Sequence, residues 1–151
     1  MLRSDVADAI LVWDTTTVPN GTYFVRIVAS DAPSNAAGLA LNGELVSAAF
    51  EIDNTPPEVL APSVRVDDQR GARTIVAFDV RDDHSPIQRV ECSEDGQQWR
   101  TVFPTDGIAD SKQEHYEVTL DRPLCPRGLS LRATDSMNNV ATSQVEAPPR
   151  R

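Results

Sequence analysis

Four acidic positions, Asp53, Asp82, Asp83 and Asp135, stand out among the residues able to do chemistry. Each lies in an oxygen-rich stretch: Asp53-Asn54, Asp82-Asp83, and Asp135 with Asn138 and Asn139. A fourth stretch of the kind is Asp31 with Asn35. Hard cations take six to eight oxygen ligands, so these positions are the first candidates for calcium. The same residue types also build turns without any ion, because their side chains cap nearby backbone N–H groups. Both readings stay open on sequence alone, and no other cofactor is expected.

Nucleophilic chemistry finds little support. His84 and His115 are the only histidines, and neither sits in a nucleophile motif. Asp110 and Ser111 near His115 have the residue types of a triad, but they also read as a polar loop before a strand. Cys92 and Cys125, the only cysteines, lack the paired spacing of a zinc site. The chain is therefore expected not to be an enzyme.

The elements that must position these residues are strands. Val76, Phe78 and Val80 alternate with Ile75, Ala77 and Asp79; Tyr116, Val118 and Leu120 alternate with Glu117 and Thr119. Val46, Ala48, Phe50 and Ile52 continue the period of two nearer the start. This is the pattern of half-buried antiparallel strands, and no stretch keeps a helical period over a dozen residues. Eleven prolines and seven glycines are spread between the runs as turn signals. Asp95-Gly96 predicts a two-residue hairpin that sets Cys92 opposite Trp99 on one face.

Val25 to Asp31, followed by Asn35, matches Leu129 to Asp135, followed by Asn139, at an offset of 104 residues. A repeat of that length is the size of one immunoglobulin-like sandwich. Pro56-Pro57 between the copies cannot donate to a ladder and stiffens the connection. The organisation expected is a partial module over 1–53, a Pro-rich linker over 54–58, a complete module over 59–148 and a tail over 149–151. The fold class is all-β, an antiparallel β-sandwich.

The partial module has room for one strand from Ala9 to Asp14 ahead of Tyr23. Its apolar face of Tyr23, Val25, Ile27, Phe50 and Ile52 would then lack an opposing sheet, so the natural protein is expected to start upstream or to cover that face. Cys92 closes one strand and Cys125 precedes another. Antiparallel pairing of those strands would bring the two thiols together, and an oxidising compartment would allow a bridge.

The run Ala-Thr-Asp-x-x-x-Asn-x-Ala at Ala133 to Ala141 resembles the final hairpin of bacterial immunoglobulin-like and fibronectin type III-like modules. Asn54-Thr55-Pro56-Pro57 is similar to joints in bacterial surface and secreted proteins, and Val12 to Gly21 resembles the run into the penultimate strand of such modules. The antibody pattern is absent, since Trp99 follows Cys92 by only seven residues. The resemblance implies tandem sandwich modules at the C-terminal end of a large exported protein, in the extracellular space or the cell envelope. It implies a non-catalytic spacer or protein-interaction unit, with upstream domains of the same polypeptide as partners. The alternative is an accessory carbohydrate-binding sandwich serving an enzyme, with exposed aromatics such as Trp13, Tyr23 and Phe24 stacking on sugar.

A formal charge of −9, with 14 basic residues scattered among 23 acids, argues against nucleic acid. The longest apolar run, Ala9 to Trp13, is far below the ~20 residues of a spanning helix.

Overall fold

The computed structural model describes residues 2–8, 10–36, 38–67 and 73–147. The chain divides into two compact units between Asn54 and Thr55. Eleven strands are named among the described residues, together with two short 3-10 turns, Thr15–Thr17 and Ala32–Ser34. No helix among them is long and apolar enough to cross a membrane.

The first unit holds β1 (Gly21–Tyr23), β2 (Arg26–Ser30), β3 (Asn42–Val46) and β4 (Phe50–Ile52). β1 pairs antiparallel with β4, and β2 with β3. These two ladders are one hairpin broken in the middle: Tyr23 faces Phe50, but Arg26 faces Val46. Two residues on one side therefore oppose three on the other, as in a bulge. Ser47 holds the break, accepting a bond from the Val25 N–H and donating one to the Ala48 carbonyl. The alternation read through Val46, Ala48, Phe50 and Ile52 is thus two short strands.

No strand forms over residues 10–14, contrary to expectation. A turn follows directly, because the Asp14 carboxylate accepts from the Thr16 N–H and hydroxyl and caps Thr15–Thr17. The expected apolar face is divided. Trp13 packs edge-on against Tyr23 and Phe50, with centroids 6.4 and 6.5 Å away, whereas Ile27 is 60% exposed. Asn54 is tied into this unit, donating to the Thr15 and Val18 carbonyls and, through its N–H, to Asn20.

The second unit is a two-layer antiparallel sandwich. One sheet has the order β5 (Glu58–Asp67), β6 (Arg73–Arg81), β9 (Gln113–Leu120). The other runs β11 (Val140–Val145), β10 (Leu129–Asp135), β7 (Ile87–Ser93), β8 (Arg100–Val102). Every second residue of β6 from Thr74 to Val80 is buried, as is every second residue of β9 from Glu114 to Leu120. Phe78 and Tyr116 lie on that inner face. Leu129, Leu131 and Ala133 of β10 join them with Ile87, Val90 and Cys92 of β7 in one core. Burying side chains of this kind removes about 1.5–3 kcal/mol of unfavourable hydration each, which is why the period of two decides the layering.

β5 is an edge strand that carries Pro62. Its ladder with β6 shifts between Leu60 and Ser63, and Ala61 has a φ of 46°. The proline falls where no ladder N–H is required, as an edge or a bulge allows.

The turn at Asp95-Gly96 forms, but its register differs from the predicted one. Cys92 faces Arg100, not Trp99. The loop is longer than two residues because the Asp95 carboxylate accepts from the N–H groups of Gln98 and Gln97 and from the Ser93 hydroxyl. Those donors hold the Asp95 carboxyl below its ordinary range. Trp99 is therefore a loop residue, half-buried under the Arg132 guanidinium at 4.2 Å from the ring centroid.

The repeated segments become β2 and β10, each the first strand of a hairpin. Their aspartates are used differently. Asp135 caps a short return to Val140, while Asp31 accepts from the distant Leu41 N–H across a longer loop.

Candidate functional site

Asp82 follows the last residue of β6, and Asp135 ends β10, so the two come from different sheets of the second unit. Asp82 is 4% exposed and Asp135 is fully buried. Oxygens of the two carboxylates lie within 4.8 Å of each other.

Local turns explain most of their hydrogen bonding. Asp82 Oδ1 accepts from the N–H groups of His84 at 2.7 Å and Ser85 at 2.8 Å. The Asp82 N–H donates to the Lys112 carbonyl at 2.7 Å. Asp135 Oδ1 accepts from the N–H groups of Met137 and Asn139, and Oδ2 from the Asn139 side-chain amide at 2.8 Å. Asn138 sits at φ 68°, the left-handed conformation that Asn tolerates well, and lets this turn close. A ladder shift between Thr134 and Asp135 accompanies it. Asp82 Oδ2, in contrast, is buried with no hydrogen-bond partner among the described residues.

Asp83 is not part of this pair. It is exposed, its carboxylate binds Arg81 Nη2 at 2.6 Å, and its carbonyl accepts from Lys112 Nζ. Asp53 belongs to the first unit, where it follows β4 and accepts from the Asn20 side-chain amide at 2.9 Å.

β7 and β10 pair antiparallel as expected, with Cys92 opposite Leu131 and Ser93 opposite Ser130. Cys92 and Cys125 are both free thiols, and both line one groove of about 620 Å³ with Trp99, Arg100, Arg122 and Pro123. Cys125 Sγ points to the Gly128 carbonyl at 3.3 Å. Burial pushes the Cys92 thiol up from its ordinary value, with Arg100 opposing and Glu94 adding to the shift. Arg122 spans the rim to the Glu94 carboxylate through two contacts of 2.9 and 3.3 Å.

The histidines do not assemble a triad with the nearby serine. His115 Nδ1 contacts Asp79 Oδ1 at 2.6 Å across the β6–β9 ladder, while the Ser111 hydroxyl donates to Asp110. Among the aromatics, Trp13 stands 80° from the Tyr23 plane and 89° from that of Phe50, so these rings form no flat platform. Phe24 is 64% exposed.

Sequence reasoning missed the Arg132–Trp99 contact, whose only signal was an arginine in the strand antiparallel to the one before the tryptophan loop. The orphan oxygen of Asp82 has no sequence signal, since it depends on what the fold places around it. In comparisons with known proteins, no family model, no curated protein and no solved structure matches this chain.

Proposed function

We propose that the chain is a non-catalytic spacer or protein-interaction segment of a larger exported bacterial protein, its second unit being an immunoglobulin-like or fibronectin type III-like module. Its partners on this reading are the neighbouring domains of the same polypeptide. The observation that carries the proposal is the way the second unit spends its side chains. Its inward residues fill one core fed by both sheets. Its charged side chains pair with one another, as in Arg65–Glu117, Arg132–Glu91 and Arg122–Glu94. Surface pairs of that kind add little stability and keep a sandwich soluble.

Incubating the full chain with cellulose, chitin and peptidoglycan, and with ester, peptide and glycoside substrates, tests the reading. The expected result is no depletion onto the polysaccharides and no turnover above buffer. Turnover abolished by His115→Ala would contradict it. Retention on a polysaccharide abolished by Trp99→Ala or Trp13→Ala would replace it with the accessory carbohydrate-binding role.

A further inference from the structure

We infer that Asp82 and Asp135 form a calcium-binding site in the second unit. Both carboxylates are buried, and their oxygens come within 4.8 Å of each other. Like charges at that separation repel, and the repulsion grows as water is excluded. No arginine or lysine forms a salt bridge with either residue among the described residues; Arg81, next to Asp82 in sequence, and Lys112, whose carbonyl accepts from the Asp82 N–H, both engage Asp83.

Turn building accounts for part of the arrangement but not for all of it. Asp82 Oδ1 alone satisfies the His84 and Ser85 N–H groups, and Asp135 serves its own turn with two bonds to Oδ1 and one to Oδ2, which leaves Oδ2 a lone pair for a cation. Asp82 Oδ2 is left buried and without a hydrogen-bond partner among the described residues. A carboxylate oxygen stripped of water needs a donor or a cation. The available atoms are hard oxygens, with no thiol or imidazole in the pair, which selects calcium or magnesium over softer metals. Two ligands at about 2.3–2.6 Å from one ion can stand up to about 5 Å apart, so the observed span suits calcium. Backbone carbonyls and water would complete the shell. An ion there would join the end of β6 in one sheet to the end of β10 in the other.

The test uses the full chain stripped with a chelator and then titrated with calcium, following both calorimetric heat and the melting curve. The wild type is expected to bind calcium and to melt roughly 5 °C or more higher at saturation, an effect reversed by chelator. Asp82→Asn keeps Oδ1 for the turn and removes the charge. It is expected to fold, to melt no lower than the metal-free wild type, and to lose the calcium response. Asp83→Asn is expected to keep the response, since Asp83 faces Arg81. A flat wild-type titration at millimolar calcium would overturn the proposal, as would an Asp82→Asn response equal to that of the wild type. A larger response to magnesium than to calcium would also overturn the assignment of the ion.

Discussion

Phe78 and Tyr116 stack across the β6–β9 ladder, their ring centroids 5.4 Å apart and their planes 12° from parallel. Both rings are buried in the core of the second unit, yet the Tyr116 hydroxyl has no hydrogen-bond partner among the described residues. Burial first, and then the nearby Glu114 and Asp106 charges, push the Tyr116 phenol well above its ordinary range.

That displacement fixes a sign. An unfolded tyrosine ionises near pH 10, whereas the folded one holds its proton to higher pH. The unfolded state therefore binds fewer protons above about pH 10, and stability falls as pH rises from there towards the folded value. Tyr116→Phe is expected to be neutral or to stabilise by up to ~1 kcal/mol at pH 7, because it removes an unsatisfied polar atom without changing ring packing. It is also expected to flatten the alkaline loss of stability. Urea unfolding at pH 8 and pH 11 on both proteins checks this; an equal loss in the two would contradict it.

Gly128 is expected to tolerate no side chain. Its φ is 78°, and a β-carbon there would collide with the Val145 carbonyl, which sits in the β10–β11 ladder and has nowhere to move. Gly128→Ala is expected to cost on the order of 2–4 kcal/mol, combining left-handed strain with the clash. Gly107→Ala is the control, since its φ is also positive but the space around it is open. Similar losses for the two in urea melts would show that backbone strain alone is at work.

The cysteines are expected to react at different rates. Cys92 is fully buried with its thiol pushed up, while Cys125 is only half-buried at the groove. Access favours Cys125, and burial keeps Cys92 from forming its thiolate. An aromatic disulfide reagent on the native chain should label one thiol quickly and the second only on unfolding, with Cys125→Ser removing the fast phase. Two equal fast phases would contradict the burial of Cys92.

Most of the second unit was legible in the sequence because its layers obey one rule. Alternation in Val76–Val80 and Tyr116–Leu120 matches the buried face residue for residue, while the buried polar Thr74 and Glu114 extend that face beyond what apolar content marked. β5 was harder to read, since Pro62 and the shift at Leu60–Ser63 break the period that marks a strand. The register at Cys92 slipped because Asp95 accepts three bonds and lengthens a turn that Asp95-Gly96 alone would have kept tight. In the first unit the apolar residues 10–13 suggested a strand, but none forms there, and Asp14 caps the turn that follows at Thr15–Thr17. The site was legible only in part. Asp82 and Asp135 could be named as oxygen donors on loops, but Asp83 carries the same chemistry one residue away and faces an arginine. Which neighbour turns inward is decided by the pleat of β6, and which oxygen lacks a partner by the packing around it.

The functional reading rests on a second unit closed by its own core, and native-state hydrogen exchange of the full chain tests that most directly. The amides of β6, β7, β9 and β10 are expected to be protected together, up to the global unfolding free energy. Those of β2 and β3, whose side chains are exposed throughout, are expected to exchange orders of magnitude faster. Protection of β2 and β3 equal to that of β6 and β9 would contradict the account, and so would fast exchange in β6 or β9.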